Sequence, residues 1–512
     1  MYLTQGLHRS VQQSPDDVAL VTPDGPRTFG ELVDRVARLA AALRGLGLAQ
    51  GERVGILAEN CPASVETVLA VPWAGLVLSP VNTRWSAREI DHQIRDAGMR
   101  VLLVARDLVE GLRDADHPGL RLVVIDEPGA TAAEVPVGAL RYEDLVAAAA
   151  PMADTRGAEE LAALVYTGGT TGRPKGVMLT HAQIATSSLG VIATLGDPRP
   201  HRFLHAGPLY HLAALGALYT QVALGSTHSV IGRATVEEIA ERIRTDEVTA
   251  TTLVPTVVQR LMEHLDETGL RLPSLRMLGY GGSSIGESTL RAARRLLPEA
   301  ALSQRYGMTE LGPIAAILTP EDHAEESRAD LLRSAGRAAL HVEIRIAGPD
   351  DATLAPGEVG EVLVRGGNVM AGYWGMPEET EHALRGGWMH TGDVGYLDAD
   401  GYLFVVDRLK DMIVSGGENV YSTEVEKVVA GHPSVRACAV IGVADATWGE
   451  RVHAVVVLAD GAMLEPAELR EYVAGRIARY KAPRSMSVLA ELPVSAVGKV
   501  LKRDLRRDVE AT

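Results

Sequence analysis

Residues 161–176 read LAALVYTGGTTGRPKG. An apolar run of strand length gives way to a turn rich in glycine and threonine, and a helical pattern begins near Thr180. A strand leading through such a loop toward a helix is the repeating unit of parallel-sheet α/β folds. The alternation extends both ways. Thr28 with Glu31, Ser86 with Glu89, Thr235 with Glu238 and Ser284 with Glu287 have the spacing of helix capping boxes. The apolar segments RVGILA (53–58), RVLLVA (100–105), VTATTLV (248–254) and LRMLGYGG (275–282) supply strands between them.

From about residue 335 the texture changes to short strands and turns: HVEIRIAG, EVGEVLVRG and GYLDADGYLFVVD, with Asp400 and Gly401 placed for a tight hairpin. After DRLKDM it changes again, to helix, strand, strand, helix and a final strand near SMSVLA. The expected fold class is α/β: a large amino-terminal domain of two parallel-sheet subdomains plus a small β-barrel-like one, then a small mobile α+β domain. The expected division is 1–407, a joint at 408–411, and 412–512.

A chain of 512 residues, 46% hydrophobic and 23% charged, is too long for one core and too apolar for disorder. Fifty basic against 66 acidic residues give a formal charge of -16, which disfavours nucleic acid and anionic lipid surfaces as partners. The first twenty residues lack the pattern of a secretory signal, the last three are EAT, and the longest apolar runs, 68–81 and 212–225, are interrupted and too short to span a bilayer. Cys61 and Cys438 lack metal or disulfide spacing. The expected location is cytoplasmic.

Chemistry concentrates first in YTGGTTGRPKG (166–176), where glycine N–H groups, threonine hydroxyls and Lys175 suit a polyphosphate. It is not a Walker A loop, because Lys175 precedes Gly176 rather than Ser or Thr. Only six lysines stand among the 50 basic residues, so a retained ammonium carries modest weight as a site marker.

That loop, followed in order by YGMTE (306–310), TGD (391–393), DRLKD (407–411), SGGEN (415–419), DATWGE (445–450) and PVSAVGK (493–499), resembles the motif series of the adenylate-forming superfamily, which comprises acyl-CoA synthetases, nonribosomal adenylation domains and luciferases. Gly168 departs from the family's usual serine. The resemblance implies that ATP converts a carboxylate to an acyl adenylate with release of pyrophosphate, and that the CoA thiol then displaces AMP. Thr167, Gly169, Thr170, Thr171 and Lys175 are implied to hold the phosphates. Thr309 would touch the α-phosphate, and Glu310 would hold Mg²⁺. Tyr306 would stack on adenine, Gly281 and Gly282 would admit the base, and Asp393, helped by Arg408, would take the ribose.

By the same resemblance Lys499 is the catalytic lysine, Lys410 the hinge, and Gly416 and Gly417 the wall of the CoA tunnel. The acyl pocket is implied at Tyr210, His211, Leu215, Gly282 and Met308, with His211 also a catalytic gate. The segment PLYHLAALGALY (208–219) carries neither the aspartate of an amino-acid-activating domain nor an arginine. That argues against a dicarboxylate such as malonate and favours an aliphatic, alicyclic or aryl acid with an uncharged tail. The implied partners are the acid, ATP and CoA, with an acyl carrier protein as alternative acceptor and a homodimer as the assembly common among relatives. A luciferase-like or non-catalytic nucleotide-binding protein stays open as a remote alternative.

Overall fold

The computed structural model describes residues 1–112, 117–126, 138–157, 160–167, 174–324, 326–415, 418–445, 447–494 and 500–510. They divide into two compact units, Met1–Ile344 with Val364–Met389, and Arg345–Leu363 with His390–Thr512.

Among the described residues, the first unit holds two sheets. In one, eight strands run in the order Gly372–Tyr373, Lys175–Thr180, Leu161–Thr167, Val77–Pro80, Arg53–Leu57, Val101–Ala105, Arg121–Ile125, Leu140–Arg141. From Leu161–Thr167 through Leu140–Arg141 the pairing is parallel, while the first three strands pair antiparallel. In the other, nine strands run Arg337–Ala338, Ile314–Leu318, Ala301–Gly307, Met277–Gly281, Ala250–Leu253, Arg202–His205, Thr227–Val230, Val18–Leu20, Arg27–Thr28. Strands covered on both faces are expected to be continuously apolar rather than alternating, as VGIL and VLLV are. Ile90 and Ile94 of the helix Ala87–Ala97 close one face over Leu57, Leu102 and Val104. Ile243, Leu261, Leu265 and Leu290 from three helices cover Leu253 and Leu278 of the second sheet.

Local signals place most of these helices. The Thr28 hydroxyl accepts from the Glu31 N–H at 3.2 Å, and the Glu31 carboxylate accepts from the Thr28 N–H at 2.8 Å, starting the helix Phe29–Gly45. The same reciprocal caps form at Ser86 and Thr235. Ser284 does not cap. That helix begins at Glu287 behind an extended Gly286, and the Glu287 carboxylate accepts from Arg333 Nε at 2.8 Å, a distant partner that local spacing cannot reveal.

In the second unit the strands Met389–Leu397 and Leu403–Arg408 pair antiparallel, in a four-stranded sheet with Val342–Ala347 and Gly360–Gly366. The expected tight turn at Asp400–Gly401 is a longer loop, 398–402, because Leu397 pairs with Leu403 and the Asp398 carboxylate accepts from the N–H groups of Asp400 and Tyr402. Beyond it, Val435–Asp445 and Gly449–Leu458 form a long hairpin flanked by the helices Ser422–Val429, Pro466–Ala474 and Lys502–Glu510, the last not anticipated from the sequence. Among the described residues, no helix is long and apolar enough to cross a membrane.

Candidate active site

The expected residues fall into clusters, each within one unit. Gly168, Gly169, Thr170, Thr171, Gly416, Gly417 and Lys499 lie outside the described residues.

The threonine-rich loop joins the antiparallel strands Leu161–Thr167 and Lys175–Thr180, not a strand and a helix as its composition suggests. Thr167 pairs across from Lys175, so the loop is a hairpin tip with its two ends clamped together. The helix follows one strand later, His181–Leu195, capped reciprocally by Thr180 and Gln183. Its N-terminus therefore lies at the far end of that strand from the loop.

Segment 368–374 ties this hairpin to the turn that carries YGMTE. Gly372 and Tyr373 pair with Met178 and Val177, and Trp374 N–H donates to the Gly176 carbonyl at 2.8 Å. Met370 N–H donates to the Glu310 carbonyl at 2.9 Å, and the buried Asn368 amide donates to the carbonyls of Leu311 and Ile314. The Lys175 ammonium consequently sits over the Tyr373 ring, 5.2 Å from its centroid, and the Tyr373 hydroxyl donates to Glu310 Oε1 at 3.0 Å. Burial and then the Glu310 charge push the Tyr373 phenol above its ordinary range, which keeps it a neutral donor. Lys175 and the expected Mg²⁺ ligand Glu310 are thus linked through one tyrosine. A buried carboxylate with a hard oxygen fits Mg²⁺, which needs only one or two protein carboxylates when a nucleotide supplies phosphates.

Met308 is the extended residue after Ala301–Gly307, and Thr309 and Glu310 lie in the single 3₁₀ turn Thr309–Leu311 that follows, with Tyr306 at the strand end beside them. Gly281 ends the neighbouring strand Met277–Gly281, and Gly282 follows it. A Cβ on Gly281 would meet the Arg305 carbonyl at 2.3 Å, so its bareness serves the approach of strand to strand, whereas Gly282, at φ +85°, faces open space.

Tyr210 and His211 precede the helix Leu212–Leu224, their rings edge-on with centroids 4.7 Å apart, and Leu215 is fully buried one turn on. What holds this segment is Asn60, at the end of RVGILAEN. Its amide donates to the carbonyls of His205 and Gly207 at 3.1 and 2.8 Å, and its Oδ1 accepts from the Leu209 N–H at 2.9 Å. A buried amide removed from such a set leaves backbone groups unpaired, each costing about 1–3 kcal/mol. Replacing Asn60 by alanine is expected to raise the KM for the acid about tenfold with the KM for ATP unchanged, by the usual conversion of such a loss. Steady-state kinetics with each substrate varied in turn check this. Asp at this position can accept from Leu209 but cannot donate, and is expected not to rescue.

In the second unit Asp393, 7% exposed, pairs across from Arg408, whose Nε lies 3.2 Å from Asp393 Oδ1. The Thr391 hydroxyl accepts from the Asp393 N–H and donates to the Val362 carbonyl, which fixes the TGD turn. Lys410 follows two residues later. Desolvation and then the Arg408 charge, with Arg506 adding, lower its ammonium, opposed by Asp411 and Asp393. No motif announces the neighbouring network: the buried Asp407 carboxylate accepts from the N–H and hydroxyl of Ser422, and that hydroxyl accepts from Lys502 Nζ at 2.6 Å, itself paired with Glu426 at 2.8 Å.

Comparison with known proteins bears on both clusters. The family model for AMP-binding enzyme matches residues 7–374, and that for the AMP-binding enzyme C-terminal domain matches 424–499. The chain is 40% identical to a feruloyl-CoA synthase from Amycolatopsis over 98% of this chain and 97% of that protein. It is 35% identical to an indoleacetate–CoA ligase from Aromatoleum aromaticum over 99% and 98%. Among solved structures, o-succinylbenzoate CoA synthetase from Bacillus subtilis with its acyl-adenylate intermediate matches with TM-score 0.84 at 32% identity, covering 98% of this chain and 97% of that one. ATP-bound MatB from Rhodopseudomonas palustris matches with TM-score 0.87 at 30% identity, covering 100% and 99%. With both family models in order and relatives matched end to end, the chain belongs to the AMP-binding enzyme family and is one of its adenylate-forming acyl-CoA synthetases.

Proposed function

We propose that this enzyme activates an aryl carboxylic acid as its CoA thioester, the acid class suggested by the names of its feruloyl and indoleacetate relatives. The observation that supports the assignment of roles is the Lys175–Tyr373–Glu310 chain, which ties the phosphate loop to the YGMTE turn. A carboxylate oxygen attacks the α-phosphorus of ATP, the bond to the β-phosphate oxygen breaks, and pyrophosphate leaves with the electron pair. The CoA sulfur then attacks the acyl carbonyl, its proton passes to solvent, and AMP leaves. Bound Mg²⁺ would neutralise charge on the phosphates. Glu310 holds that ion's position, Lys175 and the loop hydroxyls of Thr170 and Thr171 bind the β- and γ-phosphates, and Thr309 contacts the α-phosphate. Tyr306 stacks on the adenine beside Gly282, Asp393 takes the ribose with Arg408, and His211 guards the acid's entrance.

Residues 408–411 serve as the joint between 1–407 and 412–512, with Lys410 at its centre, so that Lys499 approaches for the first step and Gly416 and Gly417 for the second. We place the enzyme in the cytoplasm, where the free thiols Cys61 and Cys438 stay reduced, acting as a homodimer with CoA rather than a carrier protein as acceptor.

The test separates the two half-reactions. Lys499→Ala is expected to lower acid-dependent pyrophosphate release at least a hundredfold, the scale of losing one charge placed for the transition state, while thioester formation from supplied acyl adenylate stays within a few-fold of wild type. Equal loss in both steps would remove the proposed alternation, and absence of pyrophosphate release with every aryl acid in a panel would remove the substrate class.

A further inference from the structure

The helix Ala87–Ala97 covers one face of the eight-stranded sheet, where its Ile90 and Ile94 pack with Leu164, Tyr166 and Met178. Tyr166 stands across from Gly176 and Thr167 across from Lys175. Successive side chains point to opposite faces, so Tyr166 lies on the helix side and Lys175 on the other. The apolar seam holds the helix on the sheet. Polar contacts are added to it within one residue of the Thr167–Lys175 pair, where the two arms of the threonine-rich hairpin leave the sheet.

On the first arm, the Tyr166 hydroxyl donates to Asp96 Oδ2 at 2.5 Å. On the second, the Pro174 carbonyl accepts from His92 Nε2 at 3.3 Å. His92 and Asp96 are four residues apart and share a helix face. They are separated by about 6 Å at 1.5 Å per residue, close to the roughly 4.8 Å between neighbouring strands, so one helix face reaches both arms at once. A third segment joins them: the Trp374 indole N–H donates to the Asp96 carbonyl at 3.0 Å, while the Trp374 backbone N–H holds the Gly176 carbonyl at 2.8 Å. The bare Gly176 makes room for this. A Cβ there would stand 3.0 Å from Tyr166 Cζ and 2.9 Å from Leu164 Cδ1, in the path of the ring that crosses the second arm. Burial and then the Asp96 carboxylate raise the Tyr166 phenol above its ordinary range, which keeps it a donor. Asp96 itself is exposed, and contacts of a solvated carboxylate add little to folding. What they fix is where the arms stand.

Resting on the phosphate-binding role proposed for Lys175, we infer that Asp96, with His92, is a positioning residue for the first half-reaction. Through Tyr166, Pro174 and Trp374 it holds both arms of the hairpin and the segment that carries Tyr373, and so sets where the Lys175 ammonium meets the β- and γ-phosphates of ATP and the departing pyrophosphate. It acts from the opposite face of the sheet, through the strand. The second half-reaction does not need this brace, because an acyl adenylate carries no β- or γ-phosphate.

The experiment uses the full-length enzyme and follows acid-dependent exchange of labelled pyrophosphate into ATP, which gives a KM for each, beside thioester formation from supplied acyl adenylate. Asp96→Ala is expected to raise both Michaelis constants about fivefold to tenfold, the lower part of the range for a hydrogen bond to a charged group, while the thioester step stays within about twofold of wild type. Asp96→Asn keeps an oxygen that accepts from Tyr166 and is expected to recover most of the loss. Tyr166→Phe keeps the ring over Gly176 and should reproduce Asp96→Ala, with the double variant little worse than either, as for two residues acting through one contact. His92→Ala should cost about twofold to threefold, its bond being the longer. Unchanged affinity for pyrophosphate in Asp96→Ala, an equal loss in the thioester step, or full additivity with Tyr166→Phe overturns the inference. Lys175→Met separates the two readings: if it also leaves both Michaelis constants unmoved, the phosphate-binding role fails and the brace falls with it.

Discussion

Glu310→Gln is expected to lower the rate of acid-dependent pyrophosphate release by about two to three orders of magnitude, the range seen when one preorganised electrostatic group is lost. Glutamine keeps the shape, the contact with the Tyr373 hydroxyl and the backbone bond to Met370, so the change isolates charge. A neutral amide oxygen is a poorer partner for Mg²⁺ than a carboxylate, and the Mg²⁺ concentration giving half-maximal rate should rise in parallel. Tyr373→Phe should cost about tenfold, since a hydrogen bond to a charged group contributes about 1.5–3 kcal/mol and Lys175 retains a ring to rest on. A Mg²⁺ titration of initial rates checks both. Unaltered Mg²⁺ dependence in Glu310→Gln would move the metal elsewhere.

The second large effect is expected at Asp393, and it falls on a different constant. On the proposed ribose role, Asp393→Ala loses two hydroxyl donors to one carboxylate, each contributing about 1.5–3 kcal/mol, so the KM for ATP should rise about a hundredfold or more. The kcat at saturating ATP should stay within a few-fold, because the ribose does not change charge during the reaction. Arg408→Ala should cost far less. Its side chain is 46% exposed, and an ion pair with a solvated partner contributes at most about 1 kcal/mol. Initial rates over a range of ATP at saturating acid discriminate these outcomes; a fall in kcat with unchanged KM would take Asp393 away from the ribose.

Most of the α/β plan was legible because its signals are local. Thr28, Ser86 and Thr235 cap where their spacing says, and the apolar runs at 53–57 and 101–105 become covered parallel strands. What failed depended on distant partners: Glu287 answers Arg333 rather than Ser284, and KGVMLT becomes the return strand of a hairpin through pairing with both Leu161–Thr167 and Gly372–Tyr373. The candidate site divides the same way. Glu310, Asp393 and Arg408 stand in motifs, whereas Asn60, Asn368 and Tyr373 are single polar residues whose contacts arise only when segments far apart in sequence meet.

The clamp at the base of the threonine-rich hairpin has a numerical consequence for how such a loop can evolve. Tyr373 stands opposite Val177, two residues from Lys175, so ring and ammonium rise from the same side of the sheet. Inserting or deleting a single residue between Lys175 and Val177 would reverse the parity of Lys175 and turn the ammonium to the opposite side, away from Tyr373 and Glu310, unless the strand bulges to absorb the change. A change of length in the loop before Lys175 leaves that spacing, and with it the side, unaltered. The loop is thus free to vary in length, whereas the first turns of pleat behind it are not.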